Sequence, residues 1–411
     1  MIKQTKLLQK DFTLVVIGQI ISLFGNGILR FALPLYLFNI TGSSALFGIV
    51  SAVSFIPFIL LMPIGGIIAD RANKRNIMVI LDFLTAILML FFYLTMDIIS
   101  LIPLLIVTLM ILYSIGGLYQ PTVQASVPVL LDEKILVQGN GIISSISALA
   151  NLVAPAIGGI LLKSFGITPI ILVSIFCFFI SAILEVFIKI PYKKITSSTT
   201  VVAMVKSDIK TSIRFTFKEK PTLRKLMFII CLLNAIISAL IMIALPVLIS
   251  ERLSLGDDMY GFSLSILALG GMFGGILAGL LSKKLMIQNL YKYIIFVALS
   301  LIPMSASMMF SSTPMISYVL ILASTFIAMS ASSLASVMII TFIQSETAEN
   351  MLGKVMSFVM AVGMIASPIG QAIYGVLFEY FVGYEGSIVL GAIFMSLLVG
   401  LYAKKIFKEK L

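Results

Sequence analysis

The densest chemistry in this chain is the run Gly65-Gly66-Ile67-Ile68-Ala69-Asp70-Arg71-Ala72-Asn73-Lys74-Arg75, one acid between two glycines and three cations. At that spacing Gly66 lets a second helix come close, Asp70 can face the positive N-terminal end of a neighbouring helix, and Asn73 suits a left-handed turn. Arg71, Lys74 and Arg75 anchor the turn in water. A basic loop alone explains the cations, but not the glycine and acid four residues apart. Polar side chains also stand inside long apolar runs: Gln19, Asn26, Arg30, Gln120 and Asn151. Each lines a cavity or hydrogen-bonds between helices. A cation buried this deeply carries an insertion cost, so Arg30 calls for a partner: an anion or carbonyl in a central cavity, or helix carbonyls. Asp82 fits a network with Arg71 and Arg75, with proton carrying as the other reading. Glu185 precedes Lys189 by four residues, the spacing of a helix-surface ion pair.

What is missing narrows the chemistry further. The chain has no histidine, which removes histidine metal sites and histidine-based catalysis. Cys177 and Cys231 sit in apolar runs and read as small hydrophobes, not as a disulfide or metal framework. No Gly-x-x-x-x-Gly-Lys-Ser/Thr phosphate loop occurs, and no nucleophile stands beside a base. No enzyme, cofactor or metal site is expected.

The elements that must carry these residues are membrane spans. Of 411 residues 60% are hydrophobic and 11% charged, with a mean hydropathy of +1.16. A spanning helix needs about 20 mostly apolar residues. Apolar runs at about 13–38, 45–69, 77–95, 101–125, 139–162, 168–189, 226–249, 259–281, 291–310, 315–342, 352–378 and 386–403 give twelve. The expected class is all-α integral membrane, multi-pass. The N-terminal stretch carries Lys3, Lys6 and Lys10 before a run too long for a signal peptide, and reads as an uncleaved first span. Placing both termini in the cytoplasm puts 25 of the 28 basic residues inside, leaving Lys163 and Arg252 outside and Arg30 within a span. The net charge of +11 is thus an orientation signal, with no nucleic-acid partner expected. The ratio of 22 Lys to 6 Arg, with no Trp, points to an AT-rich, bacterial genome.

The chain repeats itself. Ala32-Leu33-Pro34-Leu35 returns as Ala244-Leu245-Pro246-Val247 at an offset of 212, while Gly48 and Ala154-Pro155 match Gly261 and Ser367-Pro368 at 213. This predicts two pseudo-symmetric six-helix bundles, 1–190 and 226–411, with a substrate site between them. Between them, 191–225 is a basic linker. Lys206, Lys210, Arg214 and Lys218 recur every fourth residue, each one position after Val205, Ile209, Ile213 and Phe217. That pattern is either an amphipathic helix on anionic lipid or a solvated basic tether. In the eighth span Gly271, Gly275 and Gly279 read as close helix packing or a sliding surface, not as a ligand site.

Three blocks carry a family resemblance. The Gly66, Asp70, Arg71, Lys74, Arg75 pattern resembles the loop signature of the major facilitator superfamily, with Asn73 in place of the usual glycine. The resemblance implies a latch on the cytoplasmic side, Asp70 meeting the start of the eleventh span near Leu352 to Lys354. The pseudo-equivalent loop Ser282-Lys283-Lys284 lacks the acid. Ala154, Pro155, Gly158 and Gly159, in Ala150 to Gly159, resemble the superfamily's antiporter signature with alanine at its first two glycines. Ser22 to Gly25, Phe31 to Tyr36, Thr41 to Ser43, Asp82 and Asp208 to Arg224 look like the bacterial drug exporters grouped with macrolide-efflux pumps and the enterobactin exporter. In the fourth span an arginine common in proton antiporters is replaced by Tyr113. What the resemblance implies is efflux of lipophilic or amphipathic molecules by alternating access, with proton antiport, as a monomer among membrane lipids. An exporter of an anionic metabolite or siderophore, or an uptake permease, are the alternatives.

Overall fold

The computed structural model describes residues 9–190, 210–281, 285–310, 313–347 and 349–408. The linker positions 191–209, the loop 282–284 and the side chains of Asp70, Leu352 and Lys354 lie outside the described residues. In hydrocarbon a backbone N–H or C=O has no water to bond, so a spanning segment either coils on itself or closes into a barrel. This chain coils. Six helices come first: α1 (Lys10–Thr41), α2 (Ser44–Arg71), α3 (Lys74–Thr95), α4 (Leu101–Leu130), α5 (Glu133–Phe165) and α6 (Ile167–Val186). Six follow the linker: α7 (Pro221–Arg252), α8 (Asp257–Leu280), α9 (Ile287–Phe310), α10 (Pro314–Glu346), α11 (Glu349–Tyr380) and α12 (Glu385–Lys408). Among the described residues, twelve helices are long and apolar enough to cross a membrane.

Proline marks where the coil is disturbed. In α7 a π turn runs from Val247 to Arg252 directly after Pro246, whose ring nitrogen cannot donate to the ladder. A second π turn, Asn234–Ser238, interrupts the same helix at mid-length. The repeated segments Ala32 to Leu35 and Ala244 to Val247 are fully enclosed in both halves.

The helices gather into two compact units, Met1–Ile40 with Val53–Val205, and Thr41–Ala52 with Lys206–Leu411. In the first unit, small residues let helices touch backbone to backbone. A Cβ on Gly65 would stand 2.6 Å from the Gly117 carbonyl of α4. Between α1 and α5 the same role falls to Gly27 against Ala154, at 2.7 Å, and to Gly158 against the Phe31 ring, at 2.8 Å. Ala154 and Gly158 of the antiporter-like block therefore form the flat patch on which α1 lies. Pro155 is part-buried beside them, and Gly159 is buried.

The second unit is tightest between α8 and α10. A Cβ on Gly270 would come within 2.6 Å of the Phe326 carbonyl, and Ser330 Oγ donates to the Gly270 carbonyl at 2.9 Å. The start of α2 belongs here as well. Ser43 caps it by accepting from Leu46 N at 3.0 Å, and Glu379 of α11 accepts from Ala45 N at 2.8 Å and from the Ser43 hydroxyl. Gly48 and Gly375 bring the two backbones together, each standing where the other's Cβ would lie within 3.2 Å. Nearby, Arg252 pairs with Glu385 at 2.6 Å and Glu251 at 2.7 Å.

Three local expectations are corrected. The packing face of α8 is Gly270 and Gly274, one position earlier than Gly271 and Gly275: nothing lies within 4 Å of a Cβ on Gly271, and only Ser333 Oγ, at 3.8 Å, near Gly275. One residue is about 100° of helix, enough to turn a glycine off the contact. Likewise Gly65, not Gly66, makes the close approach on α2, because no described atom lies within 4 Å of a Cβ on Gly66. Asn73 is extended (φ −69°, ψ 110°), not left-handed, and its side chain caps α3 by accepting from Arg75 N and Asn76 N.

Lys210 to Arg214 is helical and continues as a π turn over Phe215–Glu219. Ile213 and Phe217 are exposed beside Arg214 and Lys218, while Ser212, Phe215 and Thr216 turn inward.

The glycine register gives a stability test. Gly274→Val places a side chain against the Ser330 backbone and is expected to cost about 1–3 kcal/mol through overpacking. Gly271→Val meets open space and should melt like the parent protein. Thermal melting of detergent-purified protein by circular dichroism separates them; equal melting would reject the assigned face.

Candidate functional site

The first unit concentrates polar chemistry along α1, where Gly18, Ser22, Asn26 and Arg30 follow one another at four-residue intervals. In a helix that spacing makes a slanting row on one side, each step rising about 6 Å. Gly18, Ser22 and Arg30 touch other helices of the unit, and Asn26 bonds back to its own.

At one end Arg30 lies over the Tyr113 ring of α4, its guanidinium carbon 4.4 Å from the ring centroid and 5.9 Å from that of Phe58. Phe55 completes the group, stacked on Phe58 at 5.3 Å and edge-on to Tyr113 at 5.4 Å. A cation over a desolvated aromatic face gains about 2 kcal/mol. Arg30 Nη2 also donates to the Leu112 carbonyl at 3.1 Å, and Gly116 leaves the room that its tip occupies. Buried Arg30 Nε has no hydrogen-bond partner. The guanidinium is thus held by a helix carbonyl and a ring, with donor capacity to spare.

One turn along, Asn26 Nδ2 donates to the Ser22 carbonyl at 2.8 Å, and its Oδ1 is buried without a partner. Deeper still is a carboxyl pair. Ser22 Oγ donates to Asp82 Oδ2 of α3 at 2.6 Å and lies 3.2 Å from Ser181 Oγ of α6. Ser181 Oγ reaches the Gly18 carbonyl at 3.4 Å. Tyr119 of α4 donates to Glu185 Oε1 of α6 at 2.7 Å. A side chain on Gly18 would collide with that carboxyl, at 3.0 Å from Oε1, so glycine is what lets the acid reach α1. Asp82 and Glu185 are each 1% exposed. Around them Val15, Met78, Leu81, Ile115 and Val123 pack with Tyr119 into an apolar cluster.

These positions revise two readings from the sequence. Glu185 is enclosed and bonded to Tyr119 instead of pairing on the surface with Lys189, which is exposed and gives its backbone N–H to Asp11. The four-residue spacing is real, but α6 presents Glu185 to the bundle and ends at Val186. Asp82, grouped in the sequence with Arg71 and Arg75, turns its carboxyl to Ser22, two helical turns or about 10 Å from Arg75. Gln19 is buried, Gln120 half-buried and Asn151 exposed. Gly66, Arg71, Lys74 and Arg75 cluster at the α2–α3 turn. Sequence reading passed over Tyr119 and Ser181 and gave Ser22 only a place in a family resemblance; their one chemical signal is a polar atom in each of three neighbouring helices.

The second unit offers neutral polarity at comparable places. Asn234, at the start of the mid-helix π turn, borders a cavity of about 120 Å³ with Ser238, Ser332 and Ser336. A larger apolar groove of about 810 Å³ runs among α7, α11 and α12, lined by residues such as Ile236, Ile369, Tyr374 and Phe381.

The fold recurs in transporters of known structure. The chain superposes on the crystal structure of nucleoside transporter NupG with a TM-score of 0.75 at 14% identity, covering 97% of this chain and 100% of that one. It superposes on the D-xylose-proton symporter with a TM-score of 0.71 at 13% identity, covering 96% and 97%. In sequence it is 26% identical over 180 residues to Macrolide efflux protein A of Streptococcus pyogenes, 42% of this chain and 43% of that protein. The match thus spans less than half the length of that relative. Residues 15–371 match the family model of the Major Facilitator Superfamily. The chain therefore belongs to the Major Facilitator Superfamily, a family of multi-pass transporters and not of enzymes.

Proposed function

We propose that the chain exports lipophilic or amphipathic small molecules, of the macrolide type, by alternating access in exchange for protons. The observation that carries this reading is Arg30 against Tyr113, Phe55 and Phe58: one cation with a spare donor, set among aromatic faces. Such a surface receives a largely apolar molecule and orients it by a single oxygen. The likeness to Macrolide efflux protein A supports the same class. Gln19, Asn26, Gln120 and Asn151 supply neutral hydrogen bonds in this proposal. The antiporter-like patch of Ala154, Pro155, Gly158 and Gly159 supports α1, and with it Arg30.

In this reading both termini are cytoplasmic, and the α2–α3 turn latches that side through Gly66, Asp70, Arg71, Lys74 and Arg75. Ile213 and Phe217, exposed beside Arg214 and Lys218, favour a linker resting on anionic lipid over a free tether. The protein works as a monomer. A second reading, export of an anionic metabolite or siderophore, is favoured by the charge of Arg30.

The test uses inside-out vesicles holding a respiration-driven pH gradient, with erythromycin, ethidium, a fluoroquinolone, a siderophore and a sugar phosphate added in turn. Collapse of the gradient by the macrolide, absent from vesicles lacking the protein, is the expected result. A response confined to the siderophore would select the second reading, and no response to any compound would reject drug–proton exchange. Arg30→Met, which copies Met242 of the second half, should abolish any preference for anionic or carbonyl-rich compounds. An unaltered profile would remove Arg30 from the binding surface. Asp70→Asn should reduce transport at equal expression through loss of the latch, and unchanged rates would refute that role.

A further inference from the structure

The buried carboxyls of Asp82 and Glu185 take no part in the binding surface just described. They stand on α3 and α6 inside the first unit, in electrostatic reach of each other, with Ser22 of α1 bonded to Asp82 and Tyr119 of α4 bonded to Glu185. Among the described residues, Asp82, Tyr119 and Glu185 are the titratable groups facing the site. On α1 Asp11 lies seven residues before Gly18 and Arg30 eight residues after Ser22, about 10–12 Å away along the axis, and Lys163 of α5 stands at that helix's far end. Arg75, the cation nearest to Asp82 along α3, is two turns away.

Two ionised carboxyls without a cation between them repel, and each also gives up its hydration on entering an apolar cluster. The hydrogen bonds here do not cover both. Glu185 Oε1 is taken by Tyr119, but Oε2 is buried without a partner, as is Oε1 of Gln19, which is 2% exposed. An unmatched carboxyl oxygen so enclosed has one remedy. A proton on the carboxyl removes one charge of the pair and makes an O–H donor where acceptors outnumber donors.

We propose that Asp82 and Glu185 form the proton-binding site of this transporter, one proton shared by the pair and exchanged as α1 moves against α3 and α6. Loading forms one O–H bond between an incoming proton and a carboxylate oxygen. Release breaks that bond and returns the proton to water, leaving a carboxylate whose charge the hydroxyls of Ser22 and Tyr119 hold. Ser22 of α1 bonds to Asp82 and lies 3.2 Å from Ser181, whose hydroxyl reaches the Gly18 carbonyl, so a shift of α1 changes how many donors Asp82 keeps when unprotonated. This inference rests on the proton-exchange reading, and its test is built to fail separately from it.

The first arm needs no substrate. Protein in liposomes is titrated from acid to alkaline pH while infrared difference spectra follow the protonated-carboxyl stretching band. The expected result is a titrating band lost in both Asp82→Asn and Glu185→Gln and shifted, not lost, in Tyr119→Phe. Circular dichroism melting of each variant guards against misfolding. A band that survives both carboxamide variants would overturn the site. So would a band that changes with sodium chloride at fixed pH, which would make the pair a sodium site. The second arm measures erythromycin or ethidium uptake driven by a pH gradient in the same liposomes, against exchange at equal pH. Loss of gradient-driven uptake with exchange persisting in Glu185→Gln supports coupling through the pair. Gradient-driven uptake that persists in both carboxamide variants overturns it. Parent protein that ignores the gradient, while its band still titrates and is lost in the variants, refutes proton exchange and leaves the proton-binding site standing.

Discussion

A hydrogen-bonding group inside hydrocarbon has only other protein groups to turn to, and this organises the whole chain. Backbone groups meet the demand by coiling into twelve helices. Side chains meet it by bonding back to their own helix, as Thr85 and Ser174 do, or by reaching across, and those that reach across fix which helices are neighbours and in what rotation. Ser22 ties α1 to α3 and α6, Tyr119 ties α4 to α6, and Ser330 ties α10 to α8. Glycine and alanine make those reaches short. Gly18 admits Glu185, Gly116 admits Arg30, and Gly270 admits the Phe326 backbone.

The duplicated halves obey this constraint with different chemistry. At an offset of 212 Arg30 corresponds to Met242 and Ser22 to Asn234, and at 213 Asp82 corresponds to Ile295 and Glu185 to Leu398. The second half thus keeps hydrogen bonding at mid-span but discards the charge. Its ion pairs stand at helix ends, Arg252 with Glu385 and Glu251, and Lys220 with Glu346. Placing the acid pair in one half only confines its desolvation cost to one bundle.

Spans, repeat and family were legible in the sequence because they depend on composition over about 20 residues, where single positions average out. The functional details depend on one residue's rotation. Gly270 and Gly274 differ from Gly271 and Gly275 only in facing, and apolar residues on every side of a lipid-bathed helix leave no stripe from which to read it. The same ambiguity hid Glu185. Its spacing to Lys189 satisfied a surface rule, and only the position of α6 against α1 and α4 shows that the acid points inward. Asn73 was chosen by the sequence for a turn and is used for a cap, two roles that short polar side chains fill equally well.

The row on α1 suggests how the two chemistries of the first unit communicate. Gly18 and Ser22 contact the acid pair, Asn26 bonds to the Ser22 carbonyl, and Arg30 lies about 12 Å farther along than Ser22. A helix transmits a small translation with little loss, because compressing its hydrogen-bond ladder costs more than sliding it over the flat patch of Ala154 and Gly158. If ionisation of the pair draws Ser22 and Tyr119 toward the carboxylates, α1 follows, and Arg30 moves on the Tyr113 ring. The guanidinium is held by one carbonyl and one aromatic face, contacts that tolerate such a shift, where a bidentate carboxylate partner would resist it. Proton occupancy and substrate orientation would then be two readouts of a single coordinate, the position of α1 within the first unit.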